Sequence, residues 1–160
     1  MARMLESNPG IRKPLPSDFP FPGEAFMAGY SSTPLVKKLG VRPGARAHFV
    51  NAPGSFEDTL GPLPDGARLL GRPSAPLDFI LLFVDREADL VAALARLQPT
   101  LARDGMVWVA WPKKASRVPT DLTEDVVRRV ALDAGLVDVK VCAIDDTWSG
   151  LKLVYRLADR

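Results

Sequence analysis

The sequence predicts an α/β fold, a Rossmann-like three-layer sandwich with a mostly parallel sheet and a C-terminal antiparallel hairpin. Three observations carry this. Strand-length apolar runs alternate with segments of helical period, the pattern of a parallel sheet with right-handed crossovers. The run Leu77 to Val84 is apolar on both faces, as a central parallel strand should be. The chain closes with two strands, about Leu136 to Ile144 and Leu151 to Arg156, joined by the turn Asp145-Asp146-Thr147-Trp148-Ser149-Gly150.

Residues 1–27 form an arm apart from this pattern, and 28–160 form the domain. Pro9, Pro14, Pro16, Pro20 and Pro22 prevent regular helix or sheet in the arm. Phe19, Phe21 and Phe26 are apolar groups that can pack on the chain's own domain or on a neighbouring subunit. A flexible arm and an arm that builds a homo-oligomer both stay open. The first helix is capped by Ser32 or Thr33, has Pro34 at its first position and stops at Gly40. Then come a strand at Ala45 to Val50, the turn Asn51-Ala52-Pro53-Gly54, a short helix from Ser55 to about Leu60, and a short strand near Ala67 to Leu70. After the strand Leu77 to Val84, Asp85 is expected to cap a helix from about Arg86 to Leu97, whose period is set by Leu90, Val91, Leu94 and Leu97. A strand at Met106 to Trp111 follows Gly105. The loop PKKASRVPT leads to Asp121, which with Glu124 forms a capping-box pattern for a helix that ends at Gly135.

Composition narrows the function classes. At 160 residues, 47% hydrophobic and 25% charged, the chain can bury the core of one globular domain without staples. A net charge of +2 is too small to expect nucleic-acid binding without a clustered patch. One cysteine, Cys142, excludes an intrachain disulfide and fits a reducing compartment. No apolar run approaches a membrane span, and the N-terminus has no signal-like apolar region. A cytoplasmic protein with no membrane partner is the expectation.

The order of elements, with the segments Leu77–Val84, Asp104–Val109 and the closing hairpin, resembles the core of a class I methyltransferase. More closely, GYSSTPLVKKLG (29–40), WPKKAS (111–116), PTDLTEDVVR (119–128) and VDVKVCAIDDTWSGLKLV (137–154) resemble an uncharacterised bacterial domain-of-unknown-function family. That resemblance implies a fold but no established activity. A working methyltransferase of this class has a glycine-rich loop after its first strand and an acid ending its second, which holds the ribose hydroxyls. Here the loop is Asn51-Ala52-Pro53-Gly54, and Pro53 has no N–H to offer. The second strand ends Leu70-Gly71-Arg72, without an acid. The link to Leu77 is too short for a helical crossover, so a helix and a strand are expected to be missing. These departures argue against S-adenosylmethionine binding, and the cofactor is left unknown.

Ligands of open α/β sheets bind beyond the carboxyl ends of the strands. Tyr30, Asn51, Asp85, the loop Trp111 to Ser116 and the turn Asp145 to Ser149 are expected to converge there. Lys113, Lys114 and Ser116 stand near the expected start of a helix, where free N–H groups attract anions; a small anionic ligand is one reading, a solvated basic loop the other. Trp148 can stack on a planar ligand or cover core side chains. Asp145 and Tyr30 are candidate acid/base groups. Asp145 and Asp146 lack the local His or second carboxylate cluster of a metal site. His48 and Cys142 lie within strands and read as structural. Three functions stay open: a non-catalytic ligand-binding or regulatory protein, a transferase, and an assembly module.

Overall fold

The computed structural model describes residues 33–160. The arm and Tyr30 lie outside the described residues. In chain order the elements are α1 (Leu35–Leu39), β1 (Arg46–Val50), α2 (Phe56–Leu60), β2 (Arg68–Leu69), β3 (Leu77–Phe83), α3 (Glu87–Leu97), β4 (Leu101–Pro112), α4 (Glu124–Asp133), β5 (Leu136–Ala143) and β6 (Trp148–Tyr155). They form one six-stranded sheet in the order β2-β1-β3-β4-β6-β5. The strands β2, β1, β3 and β4 run parallel, and β6 is antiparallel to both β4 and β5.

The Rossmann-like sandwich with its closing hairpin is therefore what the chain forms. Residues 70–76 alone carry it from β2, on one side of β1, to β3 on the other, with no helix between. Apolar residues on both faces of β3 explain its place inside the sheet. Ile80 and Leu82 pack with Leu90, Leu94 and Leu97 of α3 and Val127 and Val130 of α4. Phe79, Leu81 and Phe83 pack with Val36 and Leu39 of α1 and Phe56 and Leu60 of α2. The fully buried Trp108 joins this second layer, and its indole N–H donates to the Leu39 carbonyl at 2.8 Å. Gly150 on the adjacent strand makes room for the indole: a Cβ there would lie 3.1 Å from the Trp108 ring and 2.8 Å from Ile144.

Several boundaries differ from the sequence expectation. β4 starts at Leu101, not Met106, because Leu101 pairs with Leu77 before a bulge restores the register at Phe79 and Met106. Gly105 sits inside this bulge, where a Cβ would come within 2.9 Å of the Leu77 carbonyl oxygen. β6 starts at Trp148, not Leu151, because one carboxylate oxygen of Asp145 accepts from both Thr147 N and Trp148 N at 2.8 Å and tightens the turn. The cap of α4 is Thr123, whose hydroxyl accepts from Val126 N. Asp121 instead accepts from Glu87 N at 2.7 Å and so caps α3 from a distant loop. Asp85, expected to cap α3, makes no side-chain cap there; its carbonyl accepts from the Thr120 hydroxyl at 2.6 Å. His48 is buried, with ring Nδ1 2.8 Å from the Leu70 carbonyl, and Cys142 is buried in β5. Among the described residues, no helix is long and apolar enough to cross a membrane.

Candidate functional site

Parallel strands deliver their carboxyl ends to one pole of the sheet, and a cleft opens there. It has a volume of about 510 Å³ and is lined by Asn51, Phe83, Asp85, Asp89, Arg96 and Trp148, among others. This size suits a small organic ligand.

Each lining residue has a local cause. Asn51 follows β1 in the left-handed conformation, φ 59°, which asparagine tolerates better than most residues. Its side-chain amide donates to the Phe83 carbonyl at 3.4 Å and bridges the ends of β1 and β3. Asp85 directly follows β3; its carboxylate has no hydrogen-bond or ion-pair partner among the described residues and is exposed. Asp89 and Arg96 stand two helical turns apart on one flank of α3. That flank is open because no helix is inserted between β2 and β3 to pack beside it. Trp148 is held edge-on against Phe83, with ring centroids 5.0 Å apart. It is only half-buried, so it covers core side chains and walls the cleft at once.

The expected convergence is met in part. Asn51 and Trp148 line one cleft. Lys113 N donates to the Thr147 carbonyl at 2.7 Å, which ties the loop after β4 to the hairpin turn beside the cleft. The side chains of Lys113 and Lys114 make no hydrogen bond or ion pair among the described residues, and neither lines the cleft. They do not stand at a helix start. Lys114–Ser116 is a single 3₁₀ turn, Arg117 follows in the left-handed region at φ 63°, and α4 begins only at Glu124. Ser116 is spent on that turn, donating to the Lys113 carbonyl at 2.6 Å and accepting from Val118 N. Asp145 is engaged as the hairpin cap described above.

Asp89 and Arg96 were missed as site residues. Their seven-residue spacing puts them on one helical face, but nothing local says that this face is uncovered.

The arrangement does not fit S-adenosylmethionine in the manner the methyltransferase resemblance implies. The segment after β2, Leu70-Gly71-Arg72, offers no carboxylate for ribose hydroxyls. Pro53 removes an N–H donor from the turn after β1. The carboxylates that do face the cleft, Asp85 and Asp89, come from the β3 side.

The fold is similar to that of several solved structures. A SAM-dependent methyltransferase from Aquifex aeolicus is 14% identical with a TM-score of 0.55, over 74% of this chain and 86% of that one. Fibrillarin from Aeropyrum pernix, solved with natively bound S-adenosyl-L-methionine, is 17% identical with a TM-score of 0.51, over 72% and 69%. The Methanococcus jannaschii fibrillarin pre-rRNA processing protein is 12% identical with a TM-score of 0.53, over 73% and 70%. At these identities the likeness concerns the fold alone, which is that of the methyltransferase-like Rossmann class. No curated protein matches the chain by sequence. Residues 73–157 match the model of a family described as protein of unknown function, DUF3052, and the chain belongs to that family.

Proposed function

We propose that this protein binds a small nucleoside-like ligand in the cleft at the carboxyl pole and does not transfer a methyl group. The observation that carries the reading is the cleft itself. It combines an aromatic wall, Trp148, with the carboxylates of Asp85 and Asp89 and the polar side chain of Asn51. A flat ring can lie on the indole, and ribose or exocyclic N–H and O–H donors can reach the carboxylates. The cleft's two acids against one base, Arg96, favour a neutral or cationic ligand over the anion expected from the loop 111–116. The departures at the β1 turn and at the end of β2 favour binding over catalysis, because the fold by itself does not confer an activity.

Thermal unfolding with adenosine, S-adenosylhomocysteine, S-adenosylmethionine and phosphate tests this. A ligand at 100 times its Kd stabilises by about 2.7 kcal/mol. Adenosine or S-adenosylhomocysteine is expected to raise the melting temperature, and Asp85→Asn is expected to lose that rise while melting like the wild type. No rise with any nucleoside refutes the reading. Label transfer from S-adenosylmethionine to a component of cell extract, lost in Asp85→Asn, would instead establish the transferase. A rise with phosphate alone, lost in a Lys113→Ala, Lys114→Ala double variant, would move the site to the loop after β4.

A further inference from the structure

A second cavity, of about 670 Å³, lies toward the other pole, where the parallel strands begin and β6 ends. Arg42, Lys152 and Arg160 line it, against a single acidic side chain, Asp104. Its apolar lining is the buried Met106, the half-buried Val154 and the exposed Val139, and Gly40 and Gly105 add no side chain.

Among the described residues, no carboxylate pairs with these cations. Arg42 reaches the Asp104 backbone carbonyl, at 3.5 Å, and not its carboxylate. Arg160 donates to the Tyr155 carbonyl at 3.0 Å. Neighbouring Lys140, outside the lining, donates to the Lys38 carbonyl at 3.3 Å. Lys152 pairs with Lys140 across β5 and β6, which directs both side chains to one face of the sheet. The Lys152 ammonium has no hydrogen-bond or ion-pair partner among the described residues. Burial, then repulsion from Lys140 and Arg42, holds its pKa below the usual lysine range. A cluster of like charges lining a cavity is destabilising for the chain alone and attractive to an anion.

We propose that Arg42, Lys152 and Arg160 form a binding site for a small organic phosphate at the pole opposite the cleft. The guanidinium groups suit phosphate oxygens, Lys152 supplies a point charge from within the cavity, and Met106 and Val154 accept an apolar body. This site is independent of the nucleoside reading, since it shares no residue with the cleft.

The experiment is calorimetric titration of the full chain with phenyl phosphate and with inorganic pyrophosphate, on wild type, Lys152→Met, Arg42→Gln and the Lys113→Ala, Lys114→Ala double variant. Methionine keeps an unbranched apolar stem in place of that of Lys152. Wild type is expected to bind phenyl phosphate, with affinity falling as salt rises. Lys152→Met and Arg42→Gln each weaken it by about tenfold or more, and the double variant leaves it unchanged. Without ligand, Lys152→Met is expected to melt no lower than wild type, because the charge removed was repelled by its neighbours. A purely structural lysine would give the opposite shift. Absence of binding by either probe, equal binding in Lys152→Met, or loss confined to the double variant each overturns the proposal. Adenosine is absent from these titrations, so failure of the cleft reading leaves the outcome unaffected.

Discussion

Replacing Trp108 by phenylalanine removes the hydrogen bond that joins the sheet to α1. The indole donates to the Leu39 carbonyl, the last of α1, at 2.8 Å. A carbonyl there would ordinarily seek the N–H four residues on, but that residue is Pro43, which has none. Both Trp108 and Leu39 are buried, at 0% and 1% exposure, so water does not readily replace the lost donor. An unsatisfied buried carbonyl costs about 1–3 kcal/mol, and the lost ring surface adds about 1 kcal/mol. Trp108→Phe is therefore expected to destabilise by about 2–4 kcal/mol, below the usual cost of a full Trp→Ala truncation, about 3–5 kcal/mol. For a domain of this size each kcal/mol lowers the melting temperature by about 3–6 °C. Trp111 is the control. It is buried, at 6% exposure, in the opposite layer, and its indole N–H has no partner among the described residues. Trp111→Phe should then cost about 1 kcal/mol. Urea unfolding followed by far-UV circular dichroism measures both. If Trp108→Phe costs no more than Trp111→Phe, the hydrogen bond does not hold α1.

Gly105→Ala forces a Cβ to within 2.9 Å of the Leu77 carbonyl oxygen and should cost about 1–3 kcal/mol; an unchanged urea midpoint would show that the bulge can relax. Asp121→Ala removes the acceptor for Glu87 N and should cost about 1 kcal/mol, with faster amide exchange in the first turn of α3 rather than of α4. The Arg128 guanidinium, hydrogen-bonded to Asp138 at 3.0 Å, holds that carboxyl below its ordinary range. A depressed carboxyl contributes stability above its unfolded pKa and loses it as pH falls through the folded value. Asp138→Asn should therefore flatten the stability profile below about pH 4, and an unaltered acid limb would dismiss the ion pair as a source of acid sensitivity.

Much of the fold was legible because its signals are local. Gly40, with φ 84°, ends α1 where a glycine C-cap is expected. Leu77 to Phe83 reads as a central strand because a strand buried on both faces has no polar side to show. The absent crossover helix was legible too, since residues 70–76 are simply too few to build one. Boundaries that depend on a distant partner were not. β4 extends back to Leu101 only because Leu77 is there to pair with it. Asp121 has an ordinary capping pattern for α4, yet the fold lays its loop against α3, and Glu87 N takes the carboxylate first.

The site divides the same way. From the sequence alone came the class of sheet, the pole at which its loops gather, the glycine-poor turn at Asn51 and the missing acid after β2. Tertiary structure alone decided which side chains share a space. It left Lys113 and Lys114 outside the cleft, spent Asp145 and Ser116 on turns, and opened the flank of α3 that exposes Asp89 and Arg96. It also brought Arg42 together with Lys152 and Arg160 from the far end of the chain. The physical reason is that hydrophobic period and turn chemistry act over a few residues, whereas a cavity is defined by what fails to pack beside it.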